Sequence, residues 1–443
     1  MTAPQRKDRV ALLAELMFAV LVVVSVIYTF VFLFWKGYLP HPYFYGSQSF
    51  FTDWTASAYY AVNPGAYTAF YSVYPPLSFV FLRIFSLHSC YRFDVFLSRS
   101  CDWLSLVTVA GFYFATVPVV YKSYQIIDRR TAWMRTVGIC LGLPILYAIE
   151  RGNLIVPTFF FFVLGHGRVL RSARLRWLCL AISINFKPYL ITTIFGYLLR
   201  RRWRWFEGVA IAGLLVYLVT YMLEGEGDPI TLLTNISLFA TSDPRGIFER
   251  ATYASSYLPV IDLLPSNFPL MHFIGSQPIE ILERLLPFMI NLGKLGILAC
   301  YAGALWRPNA VPVFRLAALG LCWVLTVQDP GGYAVLFLLF LVFMEPWRGP
   351  GRIIALVCGY ILSISADYTV VRFANELISS YLTNQVVGFD LGATVGMMAR
   401  PALVILIEYA LIGTSLVSIL RAGPLRPRQP ATDPRPPLQV ATG

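Results

Sequence analysis

Thr136 to Arg204 read TVGICLGLPILYAIERGNLIVPTFFFFVLGHGRVLRSARLRWLCLAISINFKPYLITTIFGYLLRRRWR, and this stretch decides the fold. Basic clusters bracket and divide it: Lys122, Arg129, Arg130 and Arg135 before it, Arg168, Arg171, Arg174 and Arg176 within it, and Arg200, Arg201, Arg202 and Arg204 at its end. Clustered Lys and Arg between apolar runs mark the cytoplasmic side of a membrane protein. If all three clusters share that side, each intervening segment must leave and return. Segment 136–167 is then a hairpin with its apex at Glu150-Arg151-Gly152-Asn153, and segment 177–199 a second one with its apex at Asn185-Phe186-Lys187-Pro188. A single tilted span over 177–199 is the alternative, but it would leave arginines outside. Arms of roughly 10–14 residues reach only about 15–21 Å, so both turns sit below the outer surface. Charged, irregular backbone at that depth is tolerated only where it lines a protein-walled cavity.

The composition agrees with this picture. With 57% hydrophobic and 13% charged residues in 443, the chain cannot coat a soluble globule of its size. Unalternating apolar runs argue for helices rather than a barrel. The fold class expected is all-α: a polytopic membrane protein of about 12 transmembrane helices, with half-embedded external helices. The net charge of +12 sits in short clusters between apolar runs, where it sets orientation and meets anionic headgroups. No basic stripe interleaved with aromatics is present, so nucleic acid is not an expected partner. None of the seven cysteines shows metal-ligand spacing. Cys90 and Cys101 alone are expected outside the membrane, where a disulfide is open to them.

Arg6, Lys7 and Arg9 precede the apolar run Val10 to Phe34, which is too long for a signal peptide and lacks a small-residue cleavage site. It reads as a retained first helix leaving the cytoplasm, followed by an external loop, 36–102. Lys36 is the one basic residue from 36 to 76, and Asp53 the one acidic residue between Lys36 and Leu87. Leu77 to Leu87 is too short to cross and reads as a half-embedded helix started by Pro75-Pro76. Spans are expected at 103–120 and 206–223, then an external loop at 224–286 with surface helices near Ile230–Ala240 and Pro278–Leu286. Further spans are expected from that loop to Trp306 and at 311–327, 333–344, 353–371 and 401–420. An outer segment, 372–400, precedes the last one, and a disordered cytoplasmic tail, 421–443, follows it. No internal repeat is visible.

The polar groups of the outer half are Asp53, Glu150, Arg151, Asn153, Asn185, Lys187, Gln328 and Asp329. Ionisable residues near a membrane are costly, so their convergence on one leaflet points to a site. Asp53 can accept a proton, and the flanking aromatics Phe50, Phe51, Trp54, Tyr59 and Tyr60 could stack on sugar rings. The bland alternative is a helix cap or loop acid amid interfacial aromatics. Arg151 and Lys187 suit a lipid-linked phosphate, as a bidentate fork and a point charge. Their alternative is structural pairing, with Glu150 neutralising one of them. Gly152 would admit a close backbone approach, and Asn153 could donate to phosphate or sugar. The scattered histidines suggest no site, and Asn235-Ile236-Ser237 fits a glycosylation sequon.

An external acid followed by Tyr74-Pro75-Pro76-Leu77, then Arg151-Gly152-Asn153 and Lys187-Pro188 at successive outer turns, resembles the GT-C fold glycosyltransferases. The nearest group is the polyprenol-phosphate-mannose-dependent mannosyltransferases, glycosyltransferase family 87, and the resemblance covers roughly residues 1–223. It implies a catalytic module over 1–223, with 224–420 supplying a loop and further helices. It also implies inverting transfer of mannose or another hexose from a polyprenyl-phosphate donor to an external glycan or glycolipid. Asp53 would be the base, with Arg151, Lys187 and Asn153 at the donor phosphate. Trp54, Tyr59, Tyr74, Glu150 and Asn185 would lie around the substrates. No Asp-x-Asp stands in the first loop, so neither metal nor other cofactor is expected. The location implied is a bacterial inner membrane, with the site facing outward and both termini cytoplasmic. A polymerase or ligase of lipid-linked oligosaccharides, or a flippase, remains an alternative. A transporter should show repeats, and none is seen.

Overall fold

In the computed structural model, the described residues are 3–43, 46–92, 94–241, 251–263, 275–327, 331–383 and 385–422. They form a mostly helical bundle. The N-terminal half comprises α1 (Ala3–Lys36), α2 (Thr52–Val62), α3 (Pro76–Phe85), α4 (Val95–Cys101), α5 (Trp103–Gln125), α6 (Ala132–Cys140), α7 (Leu143–Glu150), α8 (Ile155–His166), α9 (Ala173–Phe186), α10 (Phe195–Leu199) and α11 (Trp203–Glu224). The C-terminal half follows with α12 (Pro229–Thr241), α13 (Leu258–Leu263), α14 (Ser276–Trp306), α15 (Val313–Val327), α16 (Val335–Val342), α17 (Pro350–Leu362) and α18 (Val395–Arg421).

Six helical segments among the described residues are long and apolar enough to cross a membrane: 9–36, 103–125, 132–150, 203–224, 277–306 and 395–421. Six shorter apolar helices accompany them. The long ones on the perimeter turn apolar side chains outward, as Ile211, Leu214, Leu215, Val219 and Met222 of α11 do. Such a surface is stable only against hydrocarbon, so the chain is a membrane protein. At the centre lies α16, every residue of which is buried, with Phe337 and Phe340 packed edge-on against Phe159 and Phe162 of α8.

Both polar breaks form the expected turns. The 132–150 segment ends at Arg151-Gly152, and α8 leads back. In the second hairpin, α9 stops at Lys187, whose extended backbone (φ −135°, ψ 96°) lets a 3-10 turn, Pro188–Ile194, reverse the chain. The reversal is visible at the far end: Arg176 before the turn and Tyr197 after it both stack on Trp205, at 4.7 and 5.2 Å. A single span would have separated them. Pro76 starts α3 from its first turn, behind Pro75 as cap.

Three expectations are corrected. Pro278–Leu286 is not a separate surface helix but the beginning of α14, because Pro287 is accommodated inside a continuous helix. The span expected over 353–371 ends at Leu362; the polar run Ser363-Ile364-Ser365-Ala366-Asp367 breaks it, and β-branched residues then start a strand. The outer segment 372–400 contains an antiparallel hairpin, β1 (Thr369–Ser379) with β2 (Val386–Thr394), in a register that pairs Ser379 with Val386 and Thr369 with Thr394. Asp367 pins its base. Burial raises this carboxyl, but the Arg400 guanidinium, the Thr394 hydroxyl and the Gly396 amide together hold it below the ordinary carboxylate value. Gln328, Asp329 and nearly all of the tail, 423–443, lie outside the described residues.

Candidate functional site

The turn before α2 and the turn after α7 are paired through their backbones. The Phe51 amide donates to the Glu150 carbonyl at 2.8 Å, and the Asp53 amide to the Arg151 carbonyl at 3.1 Å. Phe51, the residue ahead of α2, holds a left-handed φ of 62°, a conformation that costs a non-glycine residue about 1–3 kcal/mol. Its ring is wedged between Trp54, stacked at 6.0 Å, and Gly152, itself at φ +62°. A methyl group at 152 would lie 2.7 Å from that ring. The room that glycine provides is therefore filled by Phe51, not left for a ligand. Gly152→Ala is expected to abolish most activity and to lower the unfolding temperature, since it combines a backbone penalty with a clash. Wild-type stability in this variant would show that the two turns are not rigidly interlocked.

This pairing delivers Asp53, in the first turn of α2, to a fixed set of donors. Arg151 donates to Asp53 Oδ1 through Nε at 3.1 Å and also through Nη2, while its Nη1 donates to the Ser49 carbonyl at 3.0 Å. Asn153 Nδ2 donates to Asp53 Oδ2 at 2.6 Å. The Asn153 amide is itself oriented, because its Oδ1 accepts from the Ile155 amide at 3.0 Å. The Asp53 and Arg151 side chains keep 18% and 15% of their surface, so the pair is reachable rather than sealed.

Lys187 arrives from the second hairpin. Its Nζ donates to the Tyr74 hydroxyl at 3.3 Å and lies 4.4 Å from the centre of that ring, within electrostatic reach of Asp53. Burial pushes the Tyr74 phenol well above its ordinary value, so it remains protonated. The expected residues Asp53, Arg151, Asn153, Lys187 and Tyr74 are thus assembled at one end of the bundle.

Glu150 is adjacent, accepting from the Tyr381 hydroxyl at 3.2 Å and acting electrostatically on Arg151. Three expected ligand contacts are not what the structure builds. Trp54 is fully buried, with Nε1 donating to Ser86 Oγ at 2.9 Å, so it cannot stack on a sugar. Asn185 is buried and donates to the Ala181 and Gly213 carbonyls, tying α9 to α11. Tyr59 packs with Tyr60 and Phe70 at the other end of α2 from Asp53. Arg151 and Asn153, expected at a donor phosphate, are both occupied by Asp53. Asn235 of the sequon is buried as well, donating to the Tyr67 and Ser72 carbonyls, so it is closed to glycosylation.

Residues beyond 223 complete the surroundings. Tyr381, in the turn between β1 and β2, packs edge-on against Phe50 and donates to Glu150; burial, and then the Glu150 charge, raise its phenol. Tyr147 stacks on Tyr333 and Tyr253, at 5.6 and 5.5 Å. No local signal distinguishes these tyrosines from interfacial ones, which is why sequence reasoning passed over them.

On the N-terminal side, Cys90 and Cys101 form a disulfide that closes a short loop around α4. From α4, Arg99 donates to the Ser47 and Phe50 carbonyls, bracing the turn that carries Asp53. Asp102 caps α5, accepting from the Ser105 and Leu87 amides and, at 2.6 Å, from the Tyr91 hydroxyl. Among the described residues no group of His, Cys, Asp or Glu could hold a metal ion. No protein-family model, curated protein or solved structure matches this chain.

Proposed function

We propose that this chain is an integral-membrane glycosyltransferase of GT-C type, with about 12 spans, moving a hexose with inversion from a polyprenyl-phosphate donor to a glycan or glycolipid acceptor. The observation that carries the proposal is Asp53: a carboxylate oriented on both oxygens by Arg151 and Asn153, with the Lys187 cation close by, at one end of the helical bundle. Each carboxylate oxygen has two acceptor sites, so Oδ2 can take an acceptor hydroxyl while Asn153 stays bound. Asp53 would accept the hydroxyl proton as the oxygen attacks the anomeric carbon. The bond from that carbon to the lipid phosphate breaks, and its electron pair leaves on the phosphate oxygen.

Lys187 is the cation suited to that developing charge, because among the described residues it donates to the Tyr74 phenol and sits over that ring, with no salt bridge to a carboxylate. Arg151, already forked onto Asp53 and Ser49, positions the base. This refines the sequence expectation, which gave the phosphate to both cations. Tyr74 holds Lys187 in place, and the Tyr147, Tyr253 and Tyr333 group offers apolar faces suited to a glycan nearby.

The test is transfer from radiolabelled polyprenyl-phosphate hexose in detergent. Lys187→Gln is expected to lower kcat/KM for the donor by about 10²-fold, leaving acceptor KM little changed; unaltered donor kinetics would remove Lys187 from the mechanism.

The sidedness proposed is a bacterial inner membrane with Asp53 facing outward and both termini cytoplasmic. The Cys90–Cys101 bridge supports it, since disulfides persist in oxidising compartments. Ala69→Cys, at an exposed position in the same loop, is expected to react with a membrane-impermeant maleimide added to whole cells. Labelling only after the membrane is opened from the cytoplasmic side would reverse the orientation.

A further inference from the structure

The end of the bundle opposite Asp53 carries a cavity of about 580 Å³, walled by the start of α1, the turn before α6 and the 346–348 turn before α17. That volume lies in the range of small-molecule sites. Its floor is a buried ion pair: Glu15 accepts from Arg135 through both oxygens, at 3.0 and 2.7 Å. Arg135 Nη1 also donates to the Phe343 and Glu345 carbonyls at 2.6 and 3.1 Å. Glu345 in turn holds Arg315 at 2.5 Å. The 343–348 turn is therefore anchored from beneath by charge-assisted bonds.

Above this floor stand Arg9, Arg130 and Arg348, which have no carboxylate partner among the described residues. Glu15 is neutralised by Arg135. The remaining acid, Asp128, has its oxygens taken by the Arg130 amide at 2.9 Å and the Thr131 hydroxyl at 3.3 Å. The cavity is left with an excess of positive charge, from guanidinium forks that match phosphate geometry. The three arginines are exposed where they line the cavity, and three distant parts of the chain bring them to this one space. An apolar track leaves the cavity at Leu12 and continues along the outward face of α1 through Leu13, Leu16, Met17 and Val20, all exposed apart from the partly covered Leu12.

We infer that this cavity binds the phosphate headgroup of an anionic lipid, with its acyl chains lying along α1. The ligand is recognised at a place separate from Asp53, so this inference stands or falls independently of the transfer reaction.

The test uses the full chain in neutral detergent, with dioctanoyl phosphatidylglycerol, dioctanoyl phosphatidylcholine and inorganic phosphate as probes, read by native mass spectrometry and calorimetry. Phosphatidylglycerol is expected to bind saturably and in preference to phosphatidylcholine. The combined variant Arg9→Gln, Arg130→Gln, Arg348→Gln should weaken it at least about 10-fold. A control variant, Arg171→Gln, Arg174→Gln, Arg204→Gln, alters exposed arginines elsewhere in the basic clusters and should bind as wild type. Because all six side chains are exposed, elution and unfolding temperature should not change. Inorganic phosphate displacing phosphatidylglycerol at similar concentration would keep the phosphate site but overturn the lipid as its source. Equal binding of both lipids, or equal weakening in both variants, would overturn the site altogether.

Discussion

Asp53→Asn is expected to lower transfer from a polyprenyl-phosphate sugar by about 10²–10⁴-fold, the span that a positioned general base contributes. The substitution keeps the shape of the side chain, but its one amide oxygen can accept from Arg151 or from Asn153 and not from both, so the turn at 51–53 should hold through its backbone bonds to Glu150 and Arg151. What it removes is the proton acceptor and the charge facing Arg151. Loss of the charge leaves a guanidinium bonded to the Ser49 carbonyl and one amide oxygen, so a modest loss of stability should accompany the loss of rate. The two effects are separable. Binding of the donor lipid should be retained, because Lys187 is untouched, and the defect should fall on kcat. Full activity in a folded Asp53→Asn protein would end the base assignment.

Arg135→Leu is expected to give the largest loss of stability, about 3–5 kcal/mol, the usual consequence of leaving one member of a buried pair alone. Glu15 and Arg135 are 0% and 3% exposed at their side chains. With Arg135 gone, Glu15 keeps, among the described residues, only the Tyr360 hydroxyl, at 3.0 Å, and the Phe343 and Glu345 carbonyls lose the Arg135 donor. Adding Glu15→Leu removes the stranded carboxylate, so the double variant should recover part of the loss but not all of it. The measurement is the apparent Tm in detergent, across both single variants and the double. An unchanged Tm for Arg135→Leu would mean that the pair does not join α1 to α6 and to the 343–345 turn.

How far these features were legible in the chain depends on the range over which each is decided. Apolar runs, basic clusters and the breaks at 150–153 and 185–188 are local, so the membrane character, both hairpins and the proline start of α3 could be read directly. The candidate residues that belong to those breaks, Arg151, Asn153 and Lys187, were visible for the same reason: a polar group inside an apolar run is conspicuous wherever it ends up. Their partners were not. Nothing near Arg151 in sequence says that its fork closes on Asp53, 98 positions earlier, or that Asn153 takes the other oxygen. Trp54 looked like a sugar platform because an aromatic beside a loop acid has no local mark of burial; packing against Phe51 and Phe81, with Ser86 beneath, decided that.

The sequence by itself determined that this is a helical membrane protein with charged turns placed to meet near one end. The tertiary structure alone decided which of those charges face one another, that Gly152 makes room for Phe51, and that a hairpin from 369–394 reaches back to Glu150. The physical reason is that hydrophobicity and turn propensity act over a few residues, whereas ion pairing and steric fit depend on distances set by the whole bundle.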